Sequence, residues 1–487
     1  VEVADRKSMR KHITYLALAM LPTGFLWSQS IEDVQRFSQT TYLGSARYMG
    51  AGGAFTSLGN DFSAAHQNPA GFAVFRRTEL SLSLGGLNSG TSTSFKGSTR
   101  IEDLGGFNFG NIGLVLALPE ENGWKWNVGM SLNKGADYTN RLTTNGETNG
   151  ISRINMWMEN SQGFDPDDLL DAGRVHEWMA FQSYLTDSDG EFNYSTQANI
   201  EDVNSVYTID QKGGMNEFAL LFATEKDNRW YFGGALGIPF INYTRDIVYS
   251  ERFGLGDSIT SFDLKEHNEI SGVGFNIKLG AQYRFDNGFR AGAALHTPSW
   301  YTMEQSWEDE MFTRFNDGSV LEPITSVYSD PYTWKLSTPW RGLLGISKVF
   351  GKSGFISVDY ELNAMNTARS KSDSINIDYL DQEIKAYTQL SHIVRAGAEL
   401  RLNRFYLRGG YSFQTSGLNG NFEETNTNMI SIGAGYRGND LSIDFVYALR
   451  NTSQDVYFYD AQYSPSAQSD ITQKPLTFTM SYRIGNR

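Results

Sequence analysis

The sequence predicts an all-β fold, a 14-stranded antiparallel transmembrane β-barrel with an N-terminal hatch inside its lumen. Three observations predict it. Apolar and polar residues alternate over most of the chain beyond residue 78. Short turns rich in Gly, Asn and Asp take strict turns with long polar segments. An aromatic content of 14% accompanies a mean hydropathy of only -0.40.

The alternation is plain in Leu80, Leu82 and Leu84, in Val273, Phe275, Ile277 and Leu279, and in Leu476, Phe478, Met480 and Tyr482. Period two makes a strand apolar on one face and polar on the other. A soluble sandwich shows the same pattern, so loop lengths carry the decision. Short turns fall at 119–123, 225–229, 286–288, 351–354, 402–404 and 438–440. Long segments fall between them at 87–106, 138–214, 253–269, 299–332, 366–385, 415–426 and 451–474. Short periplasmic turns and long outer loops are the signature of a membrane barrel. The strands expected between these connections number 14, and several exceed the roughly 9–11 residues a bilayer needs.

Composition excludes other classes. A chain this polar is no bundle of membrane helices, each of which needs about 20 apolar residues. With 0 Cys there is no disulfide framework, thiolate metal site or thiol catalysis. A net charge of -14 argues against nucleic acid as a partner. The 6 His are scattered without metal-ligand spacing, and no Gly-x-Ser-x-Gly elbow occurs. No enzyme, catalytic residue, metal or cofactor is expected.

The chain divides into three parts. Met9-Arg10-Lys11-His12, an apolar run from Ile13 to Trp27, and then Ser28-Gln29-Ser30 have the layout of a secretory signal. Residues 1–28 are therefore read as leader and signal peptide, 29–77 as hatch and 78–487 as barrel. The hatch expectation rests on residues 30–77 being rich in Ala, Gly, Ser and Asn without sustained alternation. A barrel this wide needs something to fill it, since about eight strands already pack their own interior.

Within that segment stand Gly44-Ser45-Ala46-Arg47-Tyr48-Met49-Gly50-Ala51-Gly52-Gly53-Ala54-Phe55 and Gly59-Asn60-Asp61-Phe62, leading to Asn68-Pro69-Ala70-Gly71-Phe72. The stretch resembles the hatch of the FadL/TodX family of outer-membrane channels for long-chain fatty acids and aromatic hydrocarbons. Leu336-Ser337-Thr338-Pro339-Trp340-Arg341 also looks like that family. The resemblance implies passive uptake of a hydrophobic small molecule through the outer membrane of a Gram-negative bacterium. It implies a hatch gate at Asn68, Pro69, Ala70 and Gly71, beside a lateral exit at an inward-kinked strand. It implies a barrel, expected to be a monomer, set in outer-membrane lipid and lipopolysaccharide. Some FadL-like barrels of Bacteroidetes, such as PorV, imply the alternative of a binding scaffold for secreted or surface proteins. The chain departs from common barrels in ending Ile484-Gly485-Asn486-Arg487 instead of on an aromatic residue.

The longest loop holds Met156, Trp157 and Met158, and then Trp178, Met179 and Phe181. Two short helices here, one starting near Asp165-Pro166, would either shelter an apolar ligand groove or form a small core for the loop. Asp187–Glu191 lacks most calcium-loop ligands, and the glycines of 345–353 fall at a hairpin without a following helix, so neither is read as a site.

Overall fold

The computed structural model describes residues 30–41, 43–254, 258–326, 331–373, 377–420 and 426–485. The proposed signal segment lies outside them. From residue 78 the chain forms a closed antiparallel barrel of 14 staves. Its strands are β1 (Thr78–Phe95), β2 (Ser98–Ala117), β3 (Trp124–Asp137), β4 (Asn140–Glu147), β5 (Val203–Lys226), β6 (Trp230–Phe253) and β7 (Ile259–Arg284). There follow β8 (Phe289–His296), β9 (Trp300–Phe315), β10 (Tyr332–Ser337), β11 (Arg341–Val349) and β12 (Gly354–Ala364). The last five are β13 (Leu390–Leu402), β14 (Phe405–Gln414), β15 (Thr427–Arg437), β16 (Leu441–Tyr457) and β17 (Ser466–Ile484). β17 pairs with β1 from Thr78↔Ile484 upward, which closes the ring and leaves no sheet edge at either terminus.

Three staves are broken in two: β3/β4, β8/β9 and β10/β11. The last two breaks fall at Pro298 and Pro339, whose missing N–H cannot join a ladder. There the lost ladder is replaced by Ser299 N–H donating to Thr338 Oγ1 at 2.8 Å and Thr338 N–H to the Ser299 carbonyl at 3.0 Å.

The apolar side of each strand faces outward. Leu236, Ile238 and Phe240 on β6, Val273, Phe275, Ile277 and Leu279 on β7, and Leu344 and Ile346 on β11 are all exposed. A water-soluble monomer does not leave so continuous an apolar band uncovered, whereas lipid requires one. Trp126, Trp230, Phe232, Phe285, Phe289, Phe405 and Tyr482 mark its short-turn edge, and Trp300 and Trp340 are exposed toward its long-loop edge.

The expected loop at 87–106 is a correction. It is a continuous hairpin in which β1 and β2 pair up to Phe95↔Ser98. The strands also run on into the expected long segments in β5, β7, β9, β16 and β17. Above the lipid both faces of a strand meet water or loops, so alternation disappears while the backbone ladder continues. In the 138–214 loop the helices are α4 (Arg153–Ser161) and α5 (Val175–Gln182). Asp165, expected to start a helix, caps a tight turn instead, its carboxylate accepting the Asp167 N–H at 3.0 Å.

Candidate functional site

The hatch threads the lumen from the long-loop end to the short-turn end. It opens with helix α1 (Ile31–Ser38), whose Ser30 and Asp33 form a reciprocal capping box. Ile31, Val34 and Phe37 share a buried cluster with Tyr138 and Tyr243 of the wall and with Leu380 and Ile384 of α6 (Asp378–Tyr387), the helix of an outer loop. Phe37 meets Tyr138 and Tyr243 edge-on, with centroids 5.9 and 5.8 Å apart.

Lower down, α2 (Ala46–Gly50) and α3 (Phe62–Gln67) are tied through one carboxylate. Asp61 Oδ1 accepts the Ser63 and Ala64 N–H groups at 2.9 and 3.1 Å, and Oδ2 accepts Ser45 Oγ at 2.6 Å. Burial pushes the Asp61 carboxyl up, against the pull of Arg47 and Ser45. A 3-10 turn over Pro69–Val74 then drives Phe72 and Phe75 against Phe62. Burying each such ring stabilises by roughly 1.5–3 kcal/mol.

The hatch backbone lies directly on glycines of the inner wall. A Cβ added to Gly280 would sit 1.9 Å from Asn68 Oδ1, one at Gly233 2.3 Å from the Pro69 carbonyl carbon, and one at Gly292 2.1 Å from the Thr56 oxygen. Gly397 and Gly410 are equally close to Ala51 and Gly52. A strand glycine is where another backbone comes close. This signal was present in the sequence, as glycine at inward positions of polar faces, and it marks the hatch seat.

Between hatch and wall lies a cavity of 70 Å³, room for about five waters. Phe37, Leu43, Met215 and Tyr301 give it apolar walls, and His66, Glu217 and Lys278 give it a charged corner. His66 Nδ1 is 2.8 Å from Glu217 Oε1 and Nε2 is 2.7 Å from Ser131 Oγ. Lys278 bonds the same Glu217 oxygen, and Asn276 donates to the other at 2.9 Å. Burial lowers the His66 pKa despite the pull of Glu217, so the ring is neutral. A carboxylate only accepts, so Nδ1–H donates to Glu217 and Nε2 accepts the Ser131 hydroxyl proton. His66 is thus held to the wall at both nitrogens.

Beside this cavity the third stave breaks. β3 ends at Asp137 and β4 resumes at Asn140, with the Tyr138 N–H still donating to the Gly213 carbonyl of β5 at 3.0 Å. β2 pairs with β3 only from Asn111 to Ala117, so its Ser98–Gly110 stretch has no strand partner on that side. β4 bends inward instead, with Asn140 bonded to Thr91 at 2.5 Å and Gly146 under the Phe95 ring. The freed Gly135 carbonyl accepts both the N–H and the hydroxyl of Thr41 in the hatch, at 2.8 and 3.3 Å. On the outer surface of the unpaired β2 stretch, Ile101 and Phe107 are 72% and 74% exposed.

No family model matches the sequence, and no curated protein is similar to it in sequence. Solved structures are similar to it in fold. The toluene transporter TodX of P. putida superimposes with a TM-score of 0.54 at 12% identity, over 92% of this chain and 100% of that one. A FadL homologue of Pseudomonas aeruginosa gives 0.57 at 11% identity, over 92% and 100%. The Ralstonia pickettii toluene transporter TbuX gives 0.50 at 12%, over 91% and 100%. The chain has the fold of the FadL and TodX channels. The likeness expected from the hatch residues holds at the level of the fold.

The FadL-type frame shows where each expected site residue falls. Asn68 knots the hatch, accepting the Ala70 N–H at 3.0 Å and donating to the Thr56 carbonyl at 2.7 Å. Asn68 and Pro69 press on β6 and β7, at Gly233 and Gly280. The residues beside the broken stave are Thr41 and Gly44 instead. In the long loop, Trp157 is 0% exposed and packs with Met156, Met179 and Val175 in a core that includes Tyr207, Tyr249 and Phe262 of the wall. Met158, Trp178 and Phe181 are only partly covered. His66, Ser131, Glu217 and Lys278 were not singled out from sequence, because they lie on four elements that only the barrel brings together.

Proposed function

We propose that the protein is an outer-membrane channel for passive entry of small hydrophobic molecules, with long-chain fatty acids as the ligand class. The hatch gates it and the exit is lateral. The observation that carries this reading is the broken third stave. A cavity of mixed polar and apolar lining, the hatch segment at Thr41 and an unpaired length of β2 meet at one level of the barrel. An apolar molecule leaving there passes from the lumen sideways into lipid without crossing the periplasm. The FadL-type fold supports the reading, since the neighbours of that fold are named as toluene transporters and a FadL homologue. With a cavity of only 70 Å³, the hatch must shift before a long alkyl chain can pass. Met158, Trp178 and Phe181 are the proposed first contacts at the outer mouth.

The test reconstitutes the barrel in vesicles and follows uptake of a fluorescent long-chain fatty acid above the protein-free rate. Cysteines at Arg100 and Asn145, whose side chains now meet at 3.0 Å across the β2–β4 seam, allow the seam to be tethered with a bismaleimide. Uptake should fall on tethering, while binding of the fatty acid in detergent persists. Absence of saturable binding and of uptake would overturn the channel.

One observation favours the scaffold as second reading. The inner wall carries buried charged pairs between nearby strands, Arg395 to Glu361 at 2.5 Å and Arg408 to Glu399 and Asp444 at 2.7 and 2.6 Å. The outer loop is also ordered by a buried core that it shares with the wall strands. A barrel that binds no lipophile but captures a secreted protein through this loop layer would move the scaffold to first place.

A further inference from the structure

We propose that the short-turn end of the lumen holds an oxyanion site built by Arg284 and Arg290. The two are register partners across β7 and β8, directly opposite one another in the antiparallel ladder. Both point inward. Arg284 shares its face with Gln282, which donates to the hatch carbonyl of Thr56 at 3.0 Å, and Arg290 shares its face with Gly292, which lies against the same carbonyl. Like charges directly opposite in a ladder are destabilising. A fold does not keep such a pair on an inner wall without a counter-ion unless something offsets the repulsion.

Among the described residues no carboxylate pairs with either guanidinium. Glu225 is held by Arg76 at 2.5 Å, Glu399 by Arg47 and Arg408, and Asp286 on the rim by Arg229 at 2.7 Å. The partner of Arg290 on its other side, Ser347, is neutral and bonded to Ser57 of the hatch. Further cations crowd the place. Arg290 lies within electrostatic reach of Arg284, Arg47 and Arg76, and Lys125 within reach of Arg76. Arg284 rests 5.0 Å from the centre of the Tyr231 ring, and its Nε is buried with no hydrogen-bond partner. This basic cluster sits in a chain of net charge -14.

The chemistry that fits is a carboxylate or phosphate group. Guanidinium N–H groups bind such oxyanions in pairs of charge-assisted hydrogen bonds, and Tyr231 holds one guanidinium plane in place. Both arginines are partly exposed, so the site is open to an anion in solution. Its source is either a free anion or the headgroup of an amphiphile in the lumen. The inference does not depend on the channel reading, since it needs only the like-charge pair and its missing counter-ion.

The test uses the full barrel in nonionic detergent at low ionic strength. Inorganic phosphate and octyl phosphate are titrated separately by calorimetry, and the melting temperature is followed with and without phosphate. Saturable binding to the wild type is expected, weakened about tenfold or more in Arg290→Gln, as loss of a charged hydrogen-bonding pair requires. Without phosphate, Arg290→Gln should melt higher than the wild type because the repulsion is gone, and phosphate should raise only the wild type. Binding of both probes assigns a free-anion site, and binding of octyl phosphate alone assigns a headgroup site. Should Arg290→Gln fail to assemble, Arg284→Gln carries the same comparison. No saturable binding of either probe to the wild type, or unchanged binding in the variants, overturns the proposal.

Discussion

Replacing His66 by Leu should release the hatch while leaving the barrel wall intact. The side chain makes two bonds to the wall, 2.8 Å to Glu217 and 2.7 Å to Ser131. A hydrogen bond to a charged group contributes about 1.5–3 kcal/mol and a neutral one about 0.5–1.5. Glu217 keeps Lys278 and Asn276 as partners after the change, so it is not stranded as an unpaired buried charge. The loss therefore falls in the lower part of the summed range, about 2–3 kcal/mol, a factor of about 30 to 150 in the hatch-opening equilibrium. Hydrogen exchange read by mass spectrometry measures that equilibrium where closing outpaces exchange. The amides of Ala65 and Asn68, bonded within the hatch to Asp61 and Ala64, should exchange faster by that factor. The β6–β7 ladder should not change. His66→Gln, able to keep one of the two bonds, should show about half the effect in free energy. An effect below threefold in His66→Leu, or one spread equally over the wall strands, would refute the idea that His66 anchors the hatch.

Two further outcomes follow from the same geometry. Gly280→Val should unseat the Asn68–Pro69 turn, because the first added carbon already lies 1.9 Å from Asn68 Oδ1 and 3.0 Å from Pro69 Cδ. Overpacking of this kind costs about 1–3 kcal/mol. It should appear as faster hatch exchange in a barrel that still resists unfolding on a cold detergent gel, and unchanged hatch exchange would contradict the seat. The contact between α1 and α6 should weaken as pH rises. Burial, helped by Glu32, lifts the Glu383 carboxyl from its ordinary 4.5 to about 7. An acid with a raised folded pKa favours the folded contact while protonated, so the contact is strongest below about pH 4.5 and fades as pH climbs through 7. After correction for intrinsic exchange rates, α6 should be better protected at pH 5 than at pH 8. Glu383→Gln should remove the difference, and a wild type equally protected at both would refute the sign.

The sequence by itself determined the class of the molecule. Alternation and loop length are local properties, written in consecutive residues, and they suffice for a 14-stave barrel with short turns at one end. The same holds for the hatch stretch at 44–77, where Asp61 and Asn68 bond partners that lie within the stretch itself, at Ser45, Ser63, Thr56 and Ala70. Only the tertiary structure decided what lay beyond local pattern. Strand ends at 87–106 were hidden because above the lipid no face is required to be apolar, while the ladder continues regardless. The broken stave depends on β4 packing beneath the β1–β2 hairpin instead of joining the β2 ladder, and on a carbonyl at Gly135 met by Thr41, 94 residues earlier. Glu217, Lys278, Ser131 and His66 are ordinary polar residues on their own strands and helix. They become one corner because closure of the ring sets them around a buried hatch, and excluding water there is what makes each of their bonds matter.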